Sequence, residues 1–156
     1  MKIYIDGWKA NLRFAAAHFI PEHDKCSRLH GHDYAIMVSV EGTVEDGIMA
    51  DFGLIKKNIR GILESLDHKL LVPSSQKYSK YEINNGYVHI SYMDVKMVIP
   101  EQFVAFIGTN TSSSEELSGY LGKKLLSVLK GQPNIAEITL SVQEGPGQGA
   151  EWRGKL

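Results

Sequence analysis

The chain has 156 residues, 43% of them hydrophobic, and its 17 basic against 18 acidic side chains leave a formal charge of −1. That length suits one domain over residues 1–156, and the even charge balance argues against a nucleic-acid surface or an acidic tail. The single cysteine cannot form an intramolecular disulfide, the start MKIYIDGWKANLRF lacks a signal-peptide layout, and no apolar run approaches the roughly 20 residues that span a bilayer, so a soluble, cytoplasmic protein without a membrane partner is expected.

In chain order, NLRFAAAHFI (11–20) and HDYAIMVSVEGTV (32–44) read as strands, the second with Ile36, Val38 and Val40 on one parity. A polar loop with Pro21, Glu22 and Asp24 joins them. From Asp51 to about Leu66, apolar residues at 52, 55, 59, 62, 63 and 66 keep helical spacing, with Asp51 as N-cap. Between 69 and 111 lie EINNGYVHI, a hairpin on its Asn-Gly turn, and KMVIPEQFVAFIG. A second helix starts near Ser113, whose hydroxyl and Glu116 form a capping box, and turns Leu117, Tyr120, Leu121, Leu125 and Val128 inward. It ends before GQP at 131–133. The last strand, IAEITLSVQEG (135–145), puts Ala136, Ile138, Leu140 and Val142 on one face. Glu144 continues that apolar parity. A carboxylate there needs a partner unless the strand has already ended, so it is a candidate anchor for a ligand bearing N–H donors.

Six histidines are present. His30 and His32 flank Gly31, so on a strand both imidazoles leave one face and can meet one ion. His18 ends the preceding strand, and the intervening residues allow an antiparallel return that sets it beside the pair. Three neutral nitrogens would leave an open coordination position, the catalytic type of zinc site. Surface histidines are the alternative, and His23 and His89 read that way. Cys26 lies in the loop beside this site. It reads as a thiolate base, a fourth metal ligand closing the site, or an inert thiol, and spacing does not separate these. Asp67 and His68 offer either a carboxylate orienting a proton-relaying histidine or, as the pattern alone favours, a helix C-terminus stabilised against its dipole.

Together HFIPEHDKCSRLHGHDY, DFGLIK, LDHKLL, SSSEELS and VQEGPG resemble the 6-pyruvoyl tetrahydropterin synthase and 6-carboxytetrahydropterin synthase family over residues 10–68 and 112–154. The resemblance implies an α+β tunnelling fold: an antiparallel four-stranded sheet with two helices between strands 2 and 3. Residues 72–111 would be an inserted β-rich segment. It implies Zn2+ on His18, His30 and His32, with Cys26 as proton-abstracting thiol and Asp67 with His68 as its acid/base partners. Glu144 would grip the pterin's N–H groups, and Glu115 with Ser113 and Ser114 would form a second pterin-binding stretch, although SSSEE stands where the family usually has Pro-Thr or Thr-Thr before the glutamate. The substrate implied is 7,8-dihydroneopterin triphosphate, with Lys25, Arg28 and Lys69 as candidate phosphate contacts or plain surface charges. The assembly implied is a homo-hexamer, a dimer of trimers, with active sites at subunit interfaces. The three-residue gap between Cys26 and His30 resembles the carboxy-forming branch, a lyase releasing acetaldehyde and triphosphate in 7-deazaguanine synthesis. The alternatives are the pyruvoyl-forming reaction, a zinc- and pterin-binding protein without turnover, and a metal-stabilised interaction domain.

Overall fold

The computed structural model describes residues 1–156, and its main sheet is organised around one long strand. β3 (His30–Gly42) pairs with two short strands in line: β1 (Lys2–Ile5) lies antiparallel to its far half, with Ile5 opposite Val38, and β2 (Arg13–His18) to its near half, with Arg13 opposite Ala35 and His18 opposite His30. Between β1 and β2 sits α1 (Gly7–Ala10), a single turn capped by the Asp6 carboxylate, which accepts from the Trp8 and Lys9 amides. Gly7 is required there, because a Cβ would lie 2.2 Å from the Ile36 carbonyl oxygen.

On its other edge β3 pairs with β9 (Ile135–Gly145), which turns into β10 (Gln148–Lys155), so four antiparallel strands form the framework. The two helices, α2 (Phe52–Glu64) and α3 (Ser114–Leu129), lie between β3 and β9 in sequence, as the resemblance implied. Their apolar stripes bury Ile55, Ile59 and Leu63 from α2, and Leu117, Leu121, Leu125 and Leu129 from α3, against Phe14, Ile36, Val38, Leu140 and Val142 of the sheet. Each such side chain contributes on the order of 1.5 to 3 kcal/mol by leaving water.

Beyond β2 the sheet continues in parallel through β4 (Lys69–Pro73) and β8 (Val104–Ile107). Between those two, β5 (Lys80–Asn84), β6 (Tyr87–Tyr92) and β7 (Val95–Pro100) form a separate three-stranded antiparallel sheet. Its hairpin turns on Asn85 and Gly86, both at positive φ, as the Asn-Gly pair demands. Val88, Ile90 and Tyr92 bury one face of β6 in a second core with Phe19, Leu70, Val72 and Val104.

Four sequence expectations need correction. The strand over 135–145 is not the last, because β10 (Gln148–Lys155) follows it and pairs back on it. Val128 is 51% exposed, and the neighbouring Leu129 fills the inward place. Ala136 is exposed while Ile135 is buried, because a register shift between Glu41 and Gly42 resets the start of β9. The capping box is half made: Ser113 accepts from the Glu116 amide, but the Glu116 carboxylate accepts from Asn110 Nδ2 instead of returning to the cap.

Candidate metal and active site

Antiparallel register brings the histidines together. His18 stands opposite His30 on adjacent strands, and His32 lies two residues along β3 on the same face, so one ring from β2 and two from β3 converge. Their ligand atoms all lie within 4.8 Å of one another. Gly31 makes the approach possible, since a Cβ there would sit 2.8 Å from the Ala16 carbonyl oxygen.

Hydrogen bonds set the ring tautomers. His18 Nδ1 lies 2.9 Å from the Ser112 carbonyl oxygen and His30 Nδ1 lies 2.7 Å from that of Arg28. A carbonyl only accepts, so both Nδ1 atoms carry the proton and both Nε2 atoms present lone pairs. Those lone pairs face each other across 3.0 Å. Burial pushes the His18 pKa down to about 4, against the pull of the Ser112 carbonyl and with help from His30 and His32. A proton between the nitrogens is therefore disfavoured near neutral pH, and a cation shared by the trio satisfies both lone pairs. The donor set fits a metal ion, and zinc suits three imidazoles with a vacant fourth position. Cys26 stands outside this convergence, so the geometry does not support a closed four-ligand site.

Tyr34 continues the same face of β3 beyond His32. Its side chain is fully buried, stacked on Phe14 at 4.9 Å and edge-on to His32 at 5.4 Å. Its hydroxyl has no hydrogen-bond partner. Burial, and then the charge of Glu144, push that hydroxyl's pKa well up, so it is a neutral donor. Glu144 is half-buried, one step along β9 from the Gln143–Ala35 pair, which sets it beside Tyr34 and on the histidine side of the sheet. The parity of Glu144 in the sequence thus has a structural counterpart.

Cys26 is half-buried in a 3-10 turn, Asp24–Ser27, and its carbonyl accepts from the Ile20 amide at 2.7 Å. Asp67 and His68 follow α2 and dock at Ala15 on the edge of β2 that β4 then pairs with. Asp67 Oδ1 accepts from the Ala15 amide at 2.9 Å, Oδ2 pairs with His68 Nδ1 at 2.9 Å, and the His68 amide donates to Ala15 O. Burial alone would raise the Asp67 pKa, but the Ala15 amide and the His68 ring hold it below the usual carboxylate range. The His68 ring is 82% exposed. It lines a cleft of about 680 Å³ with Ala15, Ala17, Gly31 and Asp33, whose side-chain positions alternate with those of His18 and His30; Lys69 and His32 also border the cleft.

Ser113 is occupied as the cap of α3, and Ser114 Oγ donates to Glu115. Glu115 is exposed and lines a separate groove with Thr109, Glu116, Tyr120 and Lys123, a groove that includes none of the three histidines. Lys25 and Arg28 are exposed. Sequence reading missed Ser112, which orients His18, and Tyr34. The i, i+2, i+4 run of His30, His32 and Tyr34 on one strand face could have revealed the tyrosine; nothing local could have revealed the serine.

Comparison with known proteins gives a consistent picture. The family model described as 6-pyruvoyl tetrahydropterin synthase matches residues 8–155. A relative from Methanocaldococcus jannaschii named "Putative 6-carboxy-5,6,7,8-tetrahydropterin synthase" is 32% identical over 98% of this chain and 96% of its own. The 6-carboxy-5,6,7,8-tetrahydropterin synthase of Bacillus subtilis is 28% identical over 60% of this chain and 74% of its own. Among solved structures, 6-pyruvoyl tetrahydropterin synthase of Plasmodium falciparum superposes with a TM-score of 0.90 at 28% identity, covering 100% of this chain and 98% of that one.

Proposed function

The chain belongs to the 6-pyruvoyl tetrahydropterin synthase family, and from that premise we propose that it is a zinc-dependent lyase. It converts 7,8-dihydroneopterin triphosphate to 6-carboxy-5,6,7,8-tetrahydropterin, acetaldehyde and triphosphate, for 7-deazaguanine synthesis in the cytoplasm. The observation that carries the site is the facing pair of His18 and His30 Nε2 lone pairs at 3.0 Å, backed by His32. The choice of branch is supported by the three-residue gap between Cys26 and His30 and by the names of the relatives above.

In this reading His18, His30 and His32 hold zinc, which when bound would acidify the hydroxyls of the substrate side chain. Cys26, as thiolate, accepts a proton from such a hydroxyl, and His68, oriented by Asp67 through Nδ1, carries protons at its exposed Nε2. Glu144 accepts hydrogen bonds from the pterin's amino and ring N–H groups. Glu115, Ser113 and Ser114, which lie apart from the trio's cleft on this protomer, would join pterin binding only across a subunit interface. One water is consumed: the bond between the first two side-chain carbons breaks, the outer two leave as acetaldehyde with loss of triphosphate, water supplies the carboxylate's second oxygen, and the dihydropterin ring takes up the two electrons that make it tetrahydro.

Because the His68 ring is 82% exposed and borders an open cleft, we infer active sites at subunit interfaces, with one protomer supplying metal and thiol and a neighbour supplying the Asp67–His68 pair. Open edges on β1 and β10 support such assembly, since each has one paired side. We infer a hexamer of two stacked trimers, built from one tunnelling-fold domain with residues 72–111 inserted between its helices. The pyruvoyl-forming reaction is the second reading, favoured by the close superposition on the Plasmodium falciparum enzyme.

Turnover of the triphosphate by zinc-loaded protein tests the assignment. Changing both His30 and His32 to alanine should remove about one zinc per chain and abolish turnover. Unchanged zinc in that double variant overturns the metal site.

A further inference from the structure

The loop that carries Cys26 is gripped from outside by the three-stranded sheet, and we propose that Tyr92, at the end of β6, is a positioning residue for the thiol. This rests on Cys26 acting as the proton acceptor. Within residues 21–28 most side chains are exposed, and Glu22 and Asp24 sit at φ of 64° and 31°. Such a segment, poor in buried contacts, takes its position from whatever holds it. Its internal bonds are local: Ser27 Oγ donates to Asp24 O, and the Ser27 amide to His23 O.

The hydrogen bonds that reach the loop from distant sequence both come from the β6–β7 turn. Tyr92 donates from its hydroxyl to the Ser27 carbonyl oxygen at 2.6 Å, one residue from Cys26, and the Glu22 amide donates to Met93 Sδ at 3.4 Å. Tyr92 is itself immobilised. Its side chain is buried and stacks on Phe19 at 4.4 Å, with the rings 6° from parallel. Phe19 follows His18 directly, and its carbonyl oxygen accepts from Ser112 Oγ at 2.8 Å, while the Ser112 carbonyl accepts from His18. One packed unit therefore connects the metal-ligating strand, the start of α3, the three-stranded sheet and the thiol loop. The residues between the two long helices thus act as a brace that fixes the thiol relative to the histidines.

Tyr92→Phe keeps the ring on Phe19 and deletes the hydroxyl. In that variant, amide exchange at Ile20, whose N–H closes the loop onto Cys26 O, should speed up about fivefold, the factor expected for one lost hydrogen bond. Alkylation of Cys26 by iodoacetamide should accelerate similarly. kcat should fall about five- to tenfold with KM within about twofold and zinc content unchanged, a pattern that simple loss of stability below the melting range does not give. Unchanged exchange and alkylation overturn the brace, and faster exchange with kcat intact overturns the positioning role. Full turnover in Cys26→Ala removes the base assignment on which the proposal rests. The exchange measurement needs no turnover, so the two failures are told apart.

Discussion

His18 should make the metal-free protein acid-sensitive in a defined window. Its imidazole has a pKa of about 4 when folded and 6.5 when exposed. Between those values the unfolded chain binds a proton at His18 that the folded chain does not, so stability rises with pH through the window and is lost as pH falls from 6.5 towards 4. Each unit of difference is worth about 1.4 kcal/mol, so going from about pH 7 to about pH 4.5 should cost about 2.5 kcal/mol through this residue alone. For a chain of this size that is about 5 to 10 °C in Tm. The assay is urea unfolding of chelator-treated protein at the two pH values, with His18→Gln as the comparison. Asp67 does not intrude: its pKa is lowered from 3.8, so the stability it adds is lost below that value. The wild type should lose about 2.5 kcal/mol more than the variant. Equal losses in the two proteins would refute the assignment of a buried, neutral His18.

Gly31→Ala should force β3 away from β2, because its Cβ would meet the Ala16 carbonyl oxygen at 2.8 Å; a loss of about 1 to 3 kcal/mol in denaturant unfolding and weaker zinc binding by titration are expected. Cys26→Ala should keep zinc and pterin binding while turnover falls roughly a hundredfold or more; release of zinc from this variant would mark the thiol as a ligand. Glu144→Ala should weaken pterin binding measured by calorimetry, because ligand N–H donors lose their acceptor. If active sites span two subunits, mixing inactive Cys26→Ala with inactive His68→Ala protein after dissociation should restore part of the activity, whereas no recovery in mixed oligomers would assign both residues to one protomer.

Much of the tunnelling fold was legible because its signals are local. The period-2 alternation of Ile36, Val38 and Val40 gave β3, the Asp51 and Ser113 caps gave both helix starts, and Asn85-Gly86 gave the hairpin. The histidine trio was legible for the same reason, since two residues of spacing on a strand fix a common face. What escaped depends on distant partners. β4 and β8 are short apolar runs whose parallel pairing joins residues more than 30 apart, and nothing in KLLVP specifies the partner. β1 and α1 were missed because the strand is interrupted by a turn that only makes sense against β3. Tyr92 gives no sign in its own segment that it reaches Ser27. The exposed setting of Glu115 shows the opposite limit, since the motif located the residue but not the separate groove it lines.

Identity of the products tests the central claim most directly. Zinc-loaded protein incubated with 7,8-dihydroneopterin triphosphate should release acetaldehyde in step with inorganic triphosphate and leave 6-carboxy-5,6,7,8-tetrahydropterin. Triphosphate release without acetaldehyde, leaving a 6-pyruvoyl pterin, would contradict the lyase assignment in favour of the pyruvoyl-forming reaction.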